Sequence, residues 1–269
     1  MAQPILAPSK NGPIPLNPAR IRDYWLGGGN NTKRDRELGD LIVTCAPHLP
    51  YMVRTHRTFL QRTVRHLVNS GVRQFLDLGS GLPTGGNVHE TAQAVAADCR
   101  VVYVDDDRSI VAESRALLAG RANVGVVEGD IRRPHQILAS AEVRSLLDLD
   151  QPVAVLMIDI LHHIPDEDDP ASIIATYRDA ICSGSYLAVS HICQDLIMLA
   201  AIPMYGHLFH LAQPKLTFRT PTTIAQWCVG LDLVTPGIVT IPLWRPEPGQ
   251  DMGRYPEKLQ VYGAVARKP

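Results

Sequence analysis

An acidic residue followed by two closely spaced glycines is the feature of this chain that points most directly to ligand binding. Asp77, Gly79 and Gly81 lie within the segment Phe75–Thr84, which reads FLDLGSGLPT. Glycine adopts backbone angles closed to other residues, and without a Cβ it lets the main chain approach a ligand closely. A carboxylate two residues before the first glycine favours a cationic ligand over a pyrophosphate. The segment therefore predicts a nucleotide-type cofactor loop for a ligand that carries positive charge.

Acidic residues also follow the next two apolar runs of the chain, at Asp105 and at Asp130. In a doubly wound sheet the carboxyl ends of parallel strands surround one crevice, so we expect Asp77, Asp105 and Asp130 to face a common cleft. The alternative for any such residue is a helix cap or a solvated loop. Asp106 and Asp107 in particular suit the N-cap of the helix predicted after them.

Two adjacent histidines, His162 and His163, follow the fourth apolar run and Asp159. An imidazole titrates near neutrality and can take a proton from a reacting group. The alternative is that one of the two rings only fixes the loop through a backbone hydrogen bond. With the acids of 166–169 the pair does not match a zinc spacing, so we predict no metal and interpret 166–169 as an exposed loop that caps the next helix.

Short apolar runs alternate with longer amphipathic segments through the middle of the chain. The predicted strands are Gln74–Leu78, Val101–Val104, Val124–Val127, Val153–Ile158 and Tyr186–Val189. The predicted helices between them are Asn87–Ala97, Ser109–Ala119, His135–Leu147 and Pro170–Cys182. Strands that alternate with helices indicate a parallel sheet with right-handed crossovers. Together with two β-rich runs at Leu231–Val239 and Leu259–Ala266, the pattern predicts an α/β, Rossmann-like, seven-stranded, mostly parallel sheet with helices on both faces and a C-terminal β-hairpin edge.

The chain divides into three predicted parts. Residues 1–18 hold five prolines and little periodicity, which predicts an extended N-terminal arm. Residues 19–70 form a lid and a helical segment, because apolar residues recur at helical spacing from Tyr51 to Ser70. Residues 71–269 form the Rossmann-like domain.

Composition excludes several classes of protein. The formal net charge is -1 and 45% of the residues are hydrophobic, which argues against a disordered chain and against a nucleic-acid partner. Five widely spaced cysteines without a C-x-x-C pair are typical of reduced thiols. Since the chain also has no secretory signal pattern and no apolar run long enough for a membrane span, we expect a cytoplasmic protein without a membrane association.

The ordered set of motifs resembles a class I S-adenosylmethionine-dependent methyltransferase, and more narrowly a bacterial S-adenosyl methyltransferase family of largely unassigned substrate. The motifs that carry this resemblance are RDYWLGG at 22–28, LPTGGNVHE at 82–90, VYVD at 102–105 and LAVSH at 187–191, with the glycine loop and the histidine pair. The resemblance covers nearly the whole chain after about Pro15.

The resemblance implies a role for each matching residue. The implied cofactor-binding residues are Asp77, Gly79, Ser80, Gly81, Thr84, Asp105, Asp106, Asp130, Ile131, Asp159, Tyr24 and Arg54. Asp77 would face the ammonium group of the methionine part, Asp105 would accept both ribose hydroxyls, and Asp130 would accept from the adenine amino group. The implied catalytic residues are His162 and His163.

The glycine-rich stretch Tyr24–Asn31 is interpreted as a lid that excludes water from the reacting atoms, with Tyr24 on the cofactor or substrate side. The alternative is a plain turn. Arg54, on the following predicted helix, is expected to pair with the cofactor carboxylate, and the alternative is a solvated helical arginine.

These expectations predict methyl transfer from S-adenosylmethionine to an unidentified small molecule by in-line displacement. One alternative is a protein that binds S-adenosylmethionine without catalysis. A nicotinamide-dependent oxidoreductase fits less well, because Thr84 stands where the G-x-G-x-x-G pattern requires its third glycine. The apolar segment Gln194–Leu211 either covers the active site or forms the face of a homodimer.

Overall fold

The computed structural model of the chain describes residues 17–193, 199 and 216–269. Most of the predicted N-terminal arm and nearly all of Gln194–Leu211 therefore lie outside the described residues.

The described part of the chain is built from helices and strands that alternate after residue 70. The helices are α1 (Pro18–Trp25), α2 (Lys33–Cys45), α3 (Leu49–Asn69), α4 (Val88–Gln93), α5 (Arg108–Leu117), α6 (Pro134–Leu138), α7 (Ala141–Leu146), α8 (Pro170–Ala180) and α9 (Pro221–Trp227). The strands are β1 (Gln74–Leu78), β2 (Arg100–Asp105), β3 (Val124–Glu128), β4 (Val153–Met157), β5 (Tyr186–Ile192), β6 (Asp232–Leu233), β7 (Val239–Thr240) and β8 (Val261–Arg267). Within these ranges, no helix combines the length and the apolar character that crossing a membrane requires.

The strands form one sheet in the order β3-β2-β1-β4-β5-β8-β6, with β7 also paired to β8. The first five are parallel, and Leu76 of β1 lies between Val102 of β2 and Val155 of β4. From β1, strands β2 and β3 extend the sheet in one direction. The chain then returns to the other side of β1, where β4 and β5 extend the sheet in the opposite direction. This reversal leaves a crevice at the carboxyl ends of β1 and β4, where ligands bind in open α/β sheets.

The antiparallel edge differs in detail from the prediction of seven strands. The run Leu231–Val239 yields two short strands, β6 and β7, which pair with different parts of β8. Pro236 and Gly237 lie between them, and proline cannot donate to a strand ladder. The described sheet therefore has eight strands, while the predicted α/β class, parallel order and hairpin edge are confirmed.

Two apolar clusters, one on each face of the sheet, hold the fold together. Phe75 of β1 packs in the cluster that contains Phe59 and Val64 of α3. The next residue, Leu76, packs in the cluster that contains Ile174 of α8. This alternation gives a sheet buried on both faces, where each large apolar side chain contributes about 1.5 to 3 kcal/mol.

The predicted helix His135–Leu147 is two helices, α6 and α7. Ser140 stands at the break, and its hydroxyl accepts a hydrogen bond from the Val143 N–H at 3.4 Å as the N-cap of α7. A side-chain cap of this kind competes with continuation of the helix.

Candidate functional site

A cavity of about 400 Å³ opens at the carboxyl ends of β1, β2 and β4. Its walls come from the loops after these strands and from α1 and α3, which lie far apart in sequence. The lining residues are Asn17, Pro18, Ala19, Arg22, Asp23, Leu26, Val53, His56, Arg57, Leu60, Asp77, Gly79, Ser80, Gly81, Leu82, Thr84, Asn87, Asp105, Asp106, Asp107, Ile110, Ile158, Asp159, Ile160 and His163. The predicted residues that the structure brings together here are Asp77, Gly79, Ser80, Gly81, Thr84, Asp105, Asp106, Asp159 and His163.

The glycine loop after β1 requires its glycines. Gly79 has φ +71°, and a Cβ added there would lie 2.4 Å from Cγ1 of Ile160. The N–H groups of Gly79 and Ser80 donate to the carbonyl of Val104 at 2.9 and 3.0 Å. Gly81 has φ +63°. The loop is therefore held against β2 on one side and pressed against the loop after β4 on the other.

Asp105, the last residue of β2, accepts two backbone hydrogen bonds. Its carboxylate receives the N–H of Gly81 at 2.8 Å and the N–H of Asp107 at 3.0 Å. Burial raises the pKa of Asp105, and the two hydrogen bonds act against this rise. Asp106 is exposed, while Asp107 is the N-cap of α5, accepting from the Ser109 N–H at 2.8 Å. Asp105 thus presents an ordered acceptor at the tip of β2.

Asp77 and Arg57 form the wall of the cavity beneath the glycine loop. Asp77 is 5% exposed, and burial raises its pKa to about 7 against the opposing effect of Arg57. The guanidinium of Arg57 donates to Oδ1 of Asn87 and, at 3.2 Å, to Oγ1 of Thr84. Neither Arg57 nor Asn87 is among the site residues predicted from the sequence.

The raised pKa of Asp77 predicts a pH-dependent stability. Because the folded pKa lies near 7 and the ordinary value is 3.8, the protonated acid stabilises the fold, and this contribution is lost as pH rises through 7. We expect the melting temperature of wild type to fall relative to that of Asp77→Asn between about pH 5 and about pH 8. Thermal unfolding of both proteins across this range tests it, and parallel profiles would contradict it. Asp98→Asn, at an exposed acid, is the control.

Two residues predicted to contact the cofactor from the N-terminal part lie outside the cavity lining. The hydroxyl of Tyr24 donates to Asp40 at 2.9 Å, and Arg54 is exposed beside the carbonyl of Trp25. Arg22 and Asp23 of α1 line the cavity instead. On α1 and α3, the residues that line the cavity are therefore neighbours of the predicted ones. Helical spacing in the sequence does not show which of two neighbouring positions faces the site.

Asp130 and Ile131 also lie outside the lining. The two carboxylate oxygens of Asp130 accept from Nε of Arg132 at 2.9 and 3.0 Å, and this guanidinium also reaches Asp168 at 3.1 Å. These bonds with Arg132 lower the pKa of Asp130. The carbonyl of Ile131 accepts from Tyr177 at 3.2 Å. The adenine contact of Asp130 and Ile131 stays a prediction.

Asp159 is the centre of a polar cluster on the β4 side of the cavity. It has φ +62°, and its N–H donates to Oγ of Ser190 at 2.9 Å. Its carboxylate pairs with Arg22 of α1 and lies 3.3 Å from Nε2 of His56 and 3.8 Å from Nε2 of His162. A non-glycine residue with positive φ is uncommon and clusters at functional sites.

Burial keeps the histidines around this cluster neutral. Desolvation lowers the pKa of His56 to about 3, and the positive charge of Arg22 acts in the same direction. The pKa of His163 is lowered as well, although this residue is exposed on the cavity side. The pKa of His162 is lowered well below its ordinary value by the same cause. His163 lines the cavity, whereas His162 is buried behind it. At neutral pH the rings of His56 and His162 are therefore uncharged.

Arg219 fixes the turn that carries the two histidines. Its guanidinium donates to the carbonyls of Leu161 and Ile164 at 2.9 and 2.6 Å and to Asp166 at 2.8 Å. These bonds enclose both ends of the 3₁₀ turn Leu161–His163. Within the described ranges, this site included, no three side chains of His, Cys, Asp or Glu converge as metal ligands.

Comparison with known proteins gives the family. A sequence model described as S-adenosyl methyltransferase matches residues 14–269. A DUF574 family protein from Streptomyces avermitilis MA-4680 is 39% identical with a TM-score of 0.85, over 94% of this chain and 97% of that one. A protein assigned provisionally as a methyltransferase from Thermobifida fusca YX is 35% identical with a TM-score of 0.83, over 96% of each chain.

A curated relative is the ornithine lipid N-methyltransferase of Singulisphaera acidiphila, 35% identical over 118 residues, which are 44% of this chain. The match spans 55% of that relative, so it covers about half of its length. The family match confirms the resemblance predicted from the motifs. The chain therefore belongs to the S-adenosyl methyltransferase family and is an enzyme that uses S-adenosylmethionine as its methyl donor.

Proposed function

We propose that the enzyme methylates a small molecule whose nucleophilic atom enters the cavity from the β4 side. The observation that carries this proposal is that one cavity of about 400 Å³ joins Asp77, the glycine loop and Asp105 to Asp159 and His163. Cavities that enclose small ligands have volumes of about 300 to 1,000 Å³. The cavity thus has room for the donor and an adjoining reactive group, while most of a larger acceptor would extend outside it.

The proposed cofactor position follows the order of the strands, with the ribose at the end of β2 and the methionine part at the end of β1. Asp105 would accept the ribose hydroxyls, since it already holds the backbone of the loop that approaches them. Asp77 would bind the ammonium group and Arg57 the carboxylate of the methionine part, because the buried Asp77 and the half-buried Arg57 line the same cavity. When bound, S-adenosylmethionine supplies an electrophilic methyl group on a positively charged sulfur.

The assignment to Arg57 is tested against Arg54, one helical turn away. Arg57→Gln removes the cation of the wall and two hydrogen bonds, whereas Arg54 is exposed. We expect Arg57→Gln to weaken binding of S-adenosylhomocysteine about tenfold to thirtyfold, as for loss of a charge-assisted hydrogen bond, and Arg54→Gln to change it by less than about twofold. Titration calorimetry measures both, and the opposite ranking would restore Arg54 as the carboxylate ligand.

At the acceptor end, His163 is the residue placed to take a proton. It lines the cavity, as Asp159 does, and its ring lies 4.3 Å, centroid to centroid, from the ring of the buried His162. An acceptor that carries a proton loses it to His163 as the new bond forms, and a base in this role contributes roughly 10² to 10⁴ in rate. Most of the remaining acceleration comes from alignment of the acceptor with the methyl group.

The N-terminal helix α1 is proposed as the lid of this site, in place of the glycine stretch after it. It contributes Ala19, Arg22, Asp23 and Leu26 to the lining. Arg22 pairs with Asp159 on the β4 side, so α1 is joined to the acceptor end of the cavity. A helix in this position excludes water from the reacting atoms.

The function is tested by binding and then by transfer. Calorimetric titration with S-adenosylmethionine, S-adenosylhomocysteine and NAD is followed by incubation of the protein with methyl-labelled donor and a bacterial small-molecule extract. We expect both sulfur compounds to bind, NAD not to bind, and label to appear in an extract component. Binding of NAD alone overturns the proposal, and binding of the donor without transfer to any component favours a non-catalytic binding protein.

A further inference from the structure

We infer that the methyl acceptor of this enzyme is a cationic amine, and that its ammonium group is recognised by the carboxylate of Asp159 in the position that Arg22 holds in the structure. This inference rests on the proposed function and names the class of substrate for the same site.

The first argument is the charge of the cavity wall. The described lining residues include six aspartates and two arginines, so the acids outnumber the cations even with Asp77 half-protonated near pH 7. The carboxylates are those of Asp23, Asp77, Asp105, Asp106, Asp107 and Asp159, and the guanidiniums are those of Arg22 and Arg57. The donor carries a sulfonium, an ammonium and a carboxylate, so a single net positive charge, which offsets only part of this excess. A carboxylate or phosphate acceptor would add to the repulsion, whereas an ammonium group would offset it.

The second argument is the position of Asp159. It follows β4, so the sheet order places it on the opposite side of the glycine loop from Asp105. Ile160, the next residue, is the side chain that Gly79 approaches. The Asp159 carboxylate therefore lies next to the donor loop but away from the ribose end, where an acceptor must sit. Its left-handed backbone is bonded to Ser190, and the residue lines the cavity with its carboxylate paired to Arg22.

The third argument is what surrounds this carboxylate. Asp159 is 7% exposed, and its cationic partner is Arg22, which α1 brings from outside the sheet. The remaining neighbours, His56 at 3.3 Å and His162 at 3.8 Å, are buried and supply no cation at neutral pH. A buried carboxylate requires a charged partner. Arg22 fills this requirement in the structure, and an incoming ammonium group is the chemical equivalent that can replace it.

The chemistry balances with the groups present. The ammonium releases one proton to water, which leaves a lone pair on nitrogen. That lone pair forms the bond to the methyl carbon while the carbon–sulfur bond breaks, and its electrons return to sulfur as a neutral thioether. The methylated amine carries the positive charge that the sulfonium lost, and Asp159 faces this charge before and after transfer.

Charge selectivity is tested on the protein saturated with S-adenosylhomocysteine, whose binding is established first. The probes are 3-phenylpropylamine, 3-phenylpropanol and 3-phenylpropionate, which share a shape and differ in charge. We expect the amine to bind at least about tenfold more tightly than the carboxylate by ligand-observed NMR, equivalent to about 1.4 kcal/mol. Equal binding of the three probes, preference for the carboxylate, or no binding of the amine overturns the inference. Failure of S-adenosylhomocysteine to bind overturns the proposed function instead.

Two substitutions are expected to change amine binding in opposite directions. This distinguishes recognition of the amine by Asp159 from a purely structural role of the ion pair. Asp159→Asn keeps the shape and tolerates the positive φ, and we expect it to weaken amine binding about tenfold. Arg22→Gln removes the competing cation, and we expect it to strengthen amine binding about threefold or more. Asp150→Asn, at an exposed acid, is the matched control and should change neither. Changes of the same sign in both site variants, or none in Asp159→Asn, contradict the inference.

Transfer gives an independent readout. A bacterial small-molecule extract is separated by ion exchange into cationic, neutral and anionic fractions, and each is incubated with the enzyme and methyl-labelled donor. We expect label in the cationic fraction, in a product stable to base. Label in a base-labile methyl ester, or greater labelling of the anionic fraction, overturns the inference.

Discussion

Replacement of Gly79 by alanine is expected to weaken binding of S-adenosylhomocysteine by about 100-fold and to lower the melting temperature by several degrees. The φ of +71° costs an alanine about 1 to 2 kcal/mol. The new Cβ would also lie 2.4 Å from Cγ1 of Ile160, so the loop after β4 must shift, at about 1 to 3 kcal/mol. Both penalties fall on the loop that lines the cavity and is proposed to bind the donor.

Gly120→Ala is the matched control for this prediction. Gly120 has φ +76°, but nothing lies within 4 Å of an added Cβ and the residue does not line the cavity. We expect it to lower the melting temperature by the backbone cost alone and to leave affinity within about twofold. Calorimetry and thermal unfolding measure both variants. Equal losses of affinity in the two would show that Gly79 has no particular role at the site.

Replacement of Asp105 by alanine is expected to produce a loss of similar size, about 100-fold in affinity for S-adenosylhomocysteine. A hydrogen bond to a charged group contributes about 1.5 to 3 kcal/mol, and Asp105 is proposed to accept from both ribose hydroxyls. The substitution also leaves the N–H groups of Gly81 and Asp107 without their acceptor.

Two variants sharpen this test. Asp105→Asn retains one acceptor oxygen, and we expect an intermediate loss of about tenfold. Asp98→Ala removes an exposed acid whose ion pair with Arg73 contributes little, and we expect no change. If titration calorimetry finds Asp105→Ala within about threefold of wild type, Asp105 does not hold the ribose.

The parallel part of the fold was predictable from sequence because its strands are buried on both faces. Such strands form continuous apolar runs, and the predicted run Gln74–Leu78 is identical to β1. The antiparallel edge was less predictable, since β6 and β7 are only two residues each and are defined by their pairing with β8. Pairing between distant segments leaves no local periodic signal.

The strand-end part of the site was predictable for the same reason. The topology of a parallel sheet brings the carboxyl ends of β1 and β2 to one edge, so Asp77 and Asp105 were placed together without knowledge of side-chain positions, while Asp159 was predicted through the family resemblance. Asp130 follows the same pattern, yet its carboxylate is bound by Arg132, two residues later. A strand-end acid with an arginine so close in sequence has a local partner that topology does not reveal.

The helical contributions to the site were not predictable. Arg54 and Arg57 lie one turn apart on α3, and only the docking of α3 on the sheet decides which one faces the cavity. His56 and Arg22 likewise reach Asp159 through tertiary packing between segments more than a hundred residues apart. The buried Asn87 at the start of α4 was less hidden than these residues. It lies within the motif LPTGGNVHE, which is part of the family resemblance.

The bond from the Gly81 N–H to the carboxylate of Asp105 joins the loop after β1 to the end of β2. Energetically, the two loops form one coupled unit, because a shift of either changes the geometry of the other. Free-energy losses from substitutions in contact with one another do not sum. A protein substituted at both Gly81 and Asp105 will therefore retain more affinity than the product of the two separate losses implies. The difference between the summed and the measured free-energy losses is the coupling energy of the two loops.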